Sequence, residues 1–327
     1  MEWLLIVVLL AILGAEFVNG WTDAPNAIAT VVSTNTLSPR LAVLWATIFN
    51  IAGVMSGTAV AATIGSGIVD SGVINLETVF AAMIAIIVWS TVAAYFGIPT
   101  SESHALVASL AGSALAIAGP EALLSAGWQK VLIGLGFSTF LGFFGAFVIT
   151  KIIQITCANA SPAPSKRIFS WLQILSSGFM AWSHGLNDGQ KFIGVFALAL
   201  VLGGVSTKFS IPFWVILLCA GTMGLGTSLG GMRIIRTIGV RMVGLESWQG
   251  FGAETAAAGA ITLASTMGIP LSTTHTITTA IMGVGASRSL SSVRWHIARQ
   301  IVFAWILTFP ICATIAFVLS LVLKYIF

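Results

Sequence analysis

Two aspartates, Asp23 and Asp188, stand in polar, glycine-bearing runs that interrupt apolar stretches. The first run reads Gly14–Ala15–Glu16–Phe17–Val18–Asn19–Gly20–Trp21–Thr22–Asp23–Ala24–Pro25–Asn26–Ala27, inside a hydrophobic segment from Trp3 to Val32. A continuous helix from Trp3 to Thr36 would be roughly 50 Å long, against a hydrocarbon core of about 30 Å. Asn19, Gly20, Asp23, Pro25 and Asn26 therefore fall at membrane depth. Gly and Pro loosen a helix there, and the freed carbonyls need partners. A carboxylate at mid-bilayer costs about 2.5–3.5 kcal/mol unless it is paired, hydrated or ion-bound. A discontinuous helix whose break holds a cation between carboxylate and amide oxygens is the least costly arrangement.

The run has an echo. Trp182–Ser183–His184–Gly185–Leu186–Asn187–Asp188–Gly189–Gln190–Lys191 lies 165 positions on, matching Gly20 to Gly185 and Asp23 to Asp188. Gly97–Ile98–Pro99–Thr100–Ser101–Glu102–Ser103–His104 returns 171 positions later as Gly268–Ile269–Pro270–Leu271–Ser272–Thr273–Thr274–His275. Two motifs recurring in one order define two homologous halves. The bland reading of a lone intramembrane Asp is a polar contact between helices; duplication inside matching breaks favours a shared site.

Composition limits what can surround these residues. The 327-residue chain is 57% hydrophobic and 7% charged, with a mean hydropathy of +1.02. That describes an all-α polytopic membrane protein. The apolar runs are continuous rather than alternating, which excludes a β-barrel. Its 34 glycines suit close helix packing in lipid. No basic face or arm suggests nucleic-acid binding. Cys157, Cys219 and Cys312 form no disulfide framework or metal spacing. Glu2 stands where a cleaved signal peptide would carry basic residues.

Apolar segments divide the chain at the polar linker Ala158–Lys166 into a first repeat, residues 1–160, and a second, 161–327. The first holds a broken helix and a hairpin near 77–118. The second holds a broken helix near 182–191 and a hairpin near 246–287. Leu41–Ile64 and Ile211–Leu229 read as single spans. Each Gly–Ile–Pro turn opens a hydroxyl-rich helix start, so each hairpin reads as re-entrant, dipping to mid-membrane. With that assignment Arg40, Lys166, Arg167, Arg233, Arg236, Arg241, Arg288, Arg294 and Arg299 fall on one face. Asp70, Glu77 and Glu121 fall on the other, with only Lys130, Lys208 and Lys324. The positive-inside rule then puts both termini outside the cell membrane and inverts the two halves.

Tips and breaks meeting at mid-bilayer would make one site. Thr100, Ser101, Ser103, Ser272, Thr273 and Thr274, with free N–H groups at two helix N-termini, suit a phosphate-like oxyanion. Asp23, Asn26, Asp188, Asn187 and Gln190 offer oxygen to hard cations such as Na⁺. Two buried aspartates and a divalent anion are intolerable together without added cations, so ion and anion would bind cooperatively. Single hydroxyls in membrane helices mostly bond the preceding turn. Glu102 is either a first-turn charge or a cation ligand. His104 and His275 either brace the tips or move protons. Lys191 pairs with Asp188 or Glu254, or binds substrate. The arginines set topology.

In N-G-x-x-D-x-x-N-A at Asn19–Ala27, H-G-x-N-D-x-Q-K at His184–Lys191, the Q-G-F-x-A-E end of Gly239–Glu254, and P-x-S-T-T-H at Pro270–His275, the chain resembles the inorganic phosphate transporter (PiT) family. The resemblance covers nearly the whole chain. It implies an inverted-repeat fold, often a homodimer, that imports inorganic phosphate with Na⁺ or H⁺. The repeated Asp residues and tip hydroxyls would form the ion and phosphate site, with Gln190 assigned to phosphate and Glu102 to the cation. The first tip departs from the S-T-T-H pattern at Ser101–Glu102–Ser103–His104, so the tips need not share the anion equally. Na⁺-coupled symport by alternating access is the expected function. Coupling to H⁺ or carriage of a metal–phosphate is the alternative. An intramembrane hydrolase with an Asp23–Asp188 dyad, or an ion channel, would be a different class.

Overall fold

The computed structural model describes residues 2–326, and among them the fold is helical, with no strand beyond one isolated bridge, Val69–Leu123. The helices are α1 (Glu2–Thr22), α2 (Ala29–Ser33), α3 (Pro39–Val54), α4 (Ala59–Gly67), α5 (Leu76–Tyr95), α6 (Glu102–Ala118) and α7 (Ser125–Thr156). The series then begins again after the linker. It comprises α8 (Pro162–His184), α9 (Gln190–Leu202), α10 (Phe213–Ser228), α11 (Met232–Ile235), α12 (Ser247–Thr266), α13 (Thr273–Arg288) and α14 (Trp295–Ile326). The lengths correspond as well as the order: α5 and α12 are 20 residues each, and α7 and α14 are 32 each. By length and composition five helices can cross a membrane, or up to seven if each of two bent pairs is one span.

The bends go beyond the sequence reading. Within Leu41–Ile64, α3 and α4 meet at 68°. In the second half α10 and the helical course Met232–Met242 meet at 64°. Gly230 and Gly231, at φ of 84° and 41°, supply the left-handed backbone this second bend requires.

The two motif segments also differ from each other. The first leaves α1 at Thr22, turns through a 3₁₀ stretch at Ala24–Ala27 and resumes as α2. The second does not break. It runs from α8 into α9 through one π-helical stretch, Gly185–Gly189. The reason lies at one matched position. Pro25 has no N–H to continue a helix, whereas its counterpart Gln190 does. The second helix therefore absorbs its irregularity as a π-bulge.

Glycines bring the two series into contact at matching places. A Cβ on Gly20 would lie 2.3 Å from Met223 O, and one on Gly185 would lie 2.2 Å from Asn50 O. Likewise Gly112 presses α6 onto Ala313 of α14, and Gly283 presses α13 onto Phe143 of α7, each with only 2.1 Å to a carbonyl oxygen. So each hairpin's return arm is cradled by the long helix of the other half. Only backbone without a side chain permits that approach.

Candidate functional site

Each return arm starts with the same cap. Ser101 Oγ accepts from His104 N at 3.3 Å, and Ser272 Oγ accepts from His275 N at 3.1 Å. Behind the caps, the His104 and His275 rings meet edge to face, 4.4 Å between centroids. His275 also lies 3.6 Å from Trp305, whose Nε1 donates to Pro99 O at 3.1 Å. The two histidines thus brace the tips through ring packing; both His275 nitrogens lack a partner among the described residues.

In front of the caps the motif aspartates converge. Asp23, His184 and Asp188 are buried and present ligand atoms within 4.8 Å of one another. Thr273 Oγ1 bridges the carboxylates, donating to Asp188 Oδ2 at 2.8 Å and reaching Asp23 Oδ2 at 3.5 Å. Thr274 Oγ1 and Asn26 Nδ2 donate to Asp23 Oδ1, and Asn26 Nδ2 donates to Thr274 Oγ1 at 2.9 Å. On the other side Lys191 Nζ donates to Asp188 Oδ1 and Ser103 Oγ, and to Leu271 O at 2.9 Å. Asp23 in the first half therefore meets the second tip, and Lys191 in the second half meets the first.

The structure brings together Asp23, Asn26, Asp188, Ser103, Thr273 and Thr274. Glu102 forms a wall beside them, accepting from Thr22 Oγ1 at 3.0 Å and Ser90 Oγ at 2.8 Å. Ser101 and Ser272 are engaged as caps, and Thr100 is buried at the first tip. Asn187 donates to Ser265 Oγ at 2.7 Å on α12. Gln190 is held elsewhere: its Oε1 accepts from Val60 N at 2.9 Å, at the start of α4. Lys191 pairs with Asp188, not Glu254, which instead accepts from Thr30 and Ser176.

His184 belongs to this cluster although the sequence motif alone assigns it no role there. Its Nε2 lies 3.3 Å from Asp188 Oδ2, and its Nδ1 is 2.9 Å from Asn50 Oδ1. The usable signal was its place four residues before Asp188, on the same helical face. Buried Asn26 Oδ1 and Asn187 Oδ1 have no hydrogen-bond partner among the described residues. Two carboxylates and two undonated amide oxygens are the ligands a hard cation takes.

A family model described as the phosphate transporter family matches residues 19–166 and 156–316. A probable low-affinity inorganic phosphate transporter of Rhizobium meliloti (strain 1021) is 43% identical over 92% of this chain and 91% of its own. One of Bacillus subtilis (strain 168), also named a probable low-affinity inorganic phosphate transporter, is 37% identical over 99% and 98%. A solved structure titled "The sodium-dependent phosphate transporter" superposes with a TM-score of 0.90 at 24% identity, covering all of both chains. That last likeness speaks to the fold.

Proposed function

The chain belongs to the phosphate transporter family, and from that premise we propose that it imports inorganic phosphate by symport with Na⁺ through alternating access. It is a transporter and not an enzyme, as its relatives are, and the Asp23–Asp188 hydrolase dyad falls with that assignment. The observation that carries the symport reading is the single hydroxyl, Thr273 Oγ1, within reach of both motif carboxylates. It makes Asp23 and Asp188 one site rather than two. A phosphate dianion entering that site meets fixed negative charge, and a cation at Asp23, ligated also by Asn26 Oδ1, offsets it. Ser103, Thr273 and Thr274 are the tip hydroxyls that face the anion in this reading. Glu102, Asn187 and Gln190 act from the surrounding wall and the α4 bend.

Two clefts next to the hairpin tips support a reading in which access alternates between sides. One, of about 420 Å³, lies at the second tip and is lined by Thr63, Lys130 and Gly268. The other, of about 380 Å³, lies near the first tip and is lined by Trp21, Tyr95 and Arg233. The halves are inverted, the tips re-entrant, both termini extracytoplasmic and the assembly a homodimer in this proposal. The decisive experiment is phosphate uptake into proteoliposomes under an imposed Na⁺ gradient. Stimulation by Na⁺ is expected. Stimulation by a pH gradient alone, or only with a divalent metal present, would move the coupling to H⁺ or to a metal–phosphate.

A further inference from the structure

The motif alignment pairs Asn26 with Lys191, each three residues after its aspartate. It also pairs Thr274 with Ser103, and Leu271 with Thr100. The contacts obey the same pairing. In one half-site Asp23 takes donors from Asn26 and from Thr274 of the opposite half's tip. In the other, Asp188 takes donors from Lys191, which also reaches Ser103 of the opposite half's tip, and from Thr273 of its own half's tip. The two half-sites share this plan, and at the position three residues after each aspartate one carries an amide and the other an ammonium; the tips differ too, with Glu102 matched to Thr273 in the pairing.

The ammonium's surroundings are those of an ion. Lys191 Nζ lies among a carboxylate oxygen, a hydroxyl oxygen and the main-chain carbonyl of Leu271. Carboxylate, hydroxyl and carbonyl are the hard oxygen ligands of an alkali cation. A lysine ammonium is a compact point charge on a flexible stem and can stand in for one. The residue is 1% exposed, so its charge is balanced by protein oxygen and not by water. The first half-site lacks such a charge and keeps a buried, undonated acceptor, Asn26 Oδ1.

We infer that the Lys191 ammonium is a tethered cation permanently seated in the second half-site, so that only the Asp23–Asn26–Thr274 half-site exchanges an ion with solution. The inference rests on the cation-symport reading above. It means that each phosphate travels with one cation fewer than it would in a chain carrying a neutral side chain at position 191.

Calorimetric titration of the purified full-length protein with inorganic phosphate, across a Na⁺ series below saturation, tests this. Linkage makes phosphate affinity rise about tenfold per tenfold of Na⁺ for each ion bound with it. Lys191→Asn, which copies the first half-site, is expected to add one ion. Wild type then gains about tenfold and the variant about a hundredfold per tenfold of Na⁺. An unchanged slope, or a folded Lys191→Asn protein that binds no phosphate at any Na⁺ concentration, overturns the inference. Slopes of zero for wild type and one for the variant would sink Na⁺ as the natural coupling ion and still uphold the tethered cation. If Lys191→Asn does not fold, the reciprocal Asn26→Lys decides: loss of one ion supports the inference, and an unchanged slope overturns it.

Discussion

The two motif aspartates carry different partners, so they fail differently. Asp188 is the counter-charge of a buried lysine, and removing one member of a buried ion pair costs about 3–5 kcal/mol. Asp188→Asn is therefore expected to lower the melting temperature in detergent sharply, and Asp188→Asn with Lys191→Met to recover most of it. Asp23 faces only neutral donors, Asn26, Thr273 and Thr274. Asp23→Asn strands no charge, so its melting temperature should stay close to wild type while Na⁺ stimulation of uptake is lost. Scanning fluorimetry on the three variants reads this directly; equal destabilisation by both single changes contradicts it. Both aspartates were legible because each sits in a duplicated motif, where repetition separates a site from a stray polar contact. The ties of Glu254 to Thr30 and Ser176, and of Gln190 to Val60, were not. They join residues more than 70 positions apart, and a hydroxyl or a backbone N–H leaves no spacing signature for such a contact.

At the scale of elements, the hairpin return arms are held by glycine, and the contact is backbone against backbone. A Cβ at Gly283 would stand 2.1 Å from Phe143 O, and one at Gly112 would stand 2.1 Å from Ala313 O. A carbonyl of a long helix cannot swing aside as a side-chain end can, and overpacking of this kind costs about 1–3 kcal/mol. Gly112→Ala and Gly283→Ala should each lower the melting temperature and slow phosphate uptake. Gly145→Ala, whose Cβ would meet Ala256 Cβ at an ordinary 3.6 Å, should leave both unchanged. A control as impaired as the other two would show that the close contact is not what matters. The hairpins were visible in advance because Gly–Ile–Pro followed by hydroxyls is both a helix stop and a helix start. The α3–α4 bend was not, since Met55–Ser56–Gly57–Thr58 is too short and too apolar in its surroundings to read as a break. The π-bulge was hidden for the opposite reason: its five residues resemble the first break in type, and the lack of a proline at Gln190, the position matching Pro25, sets them apart.

For the whole molecule, charge placement and cleft placement make one joint prediction. The positive-inside rule puts Lys130 on the outer face and Arg233 on the inner. Each of these cations belongs to a different cleft, Lys130 at the second tip and Arg233 near the first, where Arg233 Nη1 donates to Tyr95 O and Thr237 Oγ1 donates to Gly97 O at 2.8 Å. If the halves are inverted, the cleft at the second tip opens outside and the cleft near the first tip opens inside. Exposed residues line both: Ser66 in the former and Leu229 in the latter. With Cys157, Cys219 and Cys312 replaced, Ser66→Cys should react with a membrane-impermeant maleimide added to intact cells. Leu229→Cys should react only once the membrane is opened. Phosphate with Na⁺ should change the two labelling rates in opposite directions, because one site cannot be reached from both faces at once in an alternating-access cycle. Labelling of both positions from the same side would mean parallel rather than inverted halves. It would also leave the crossed contacts of Asp23 with Thr274 and of Lys191 with Ser103 as a static bundle core instead of the centre of a moving carrier.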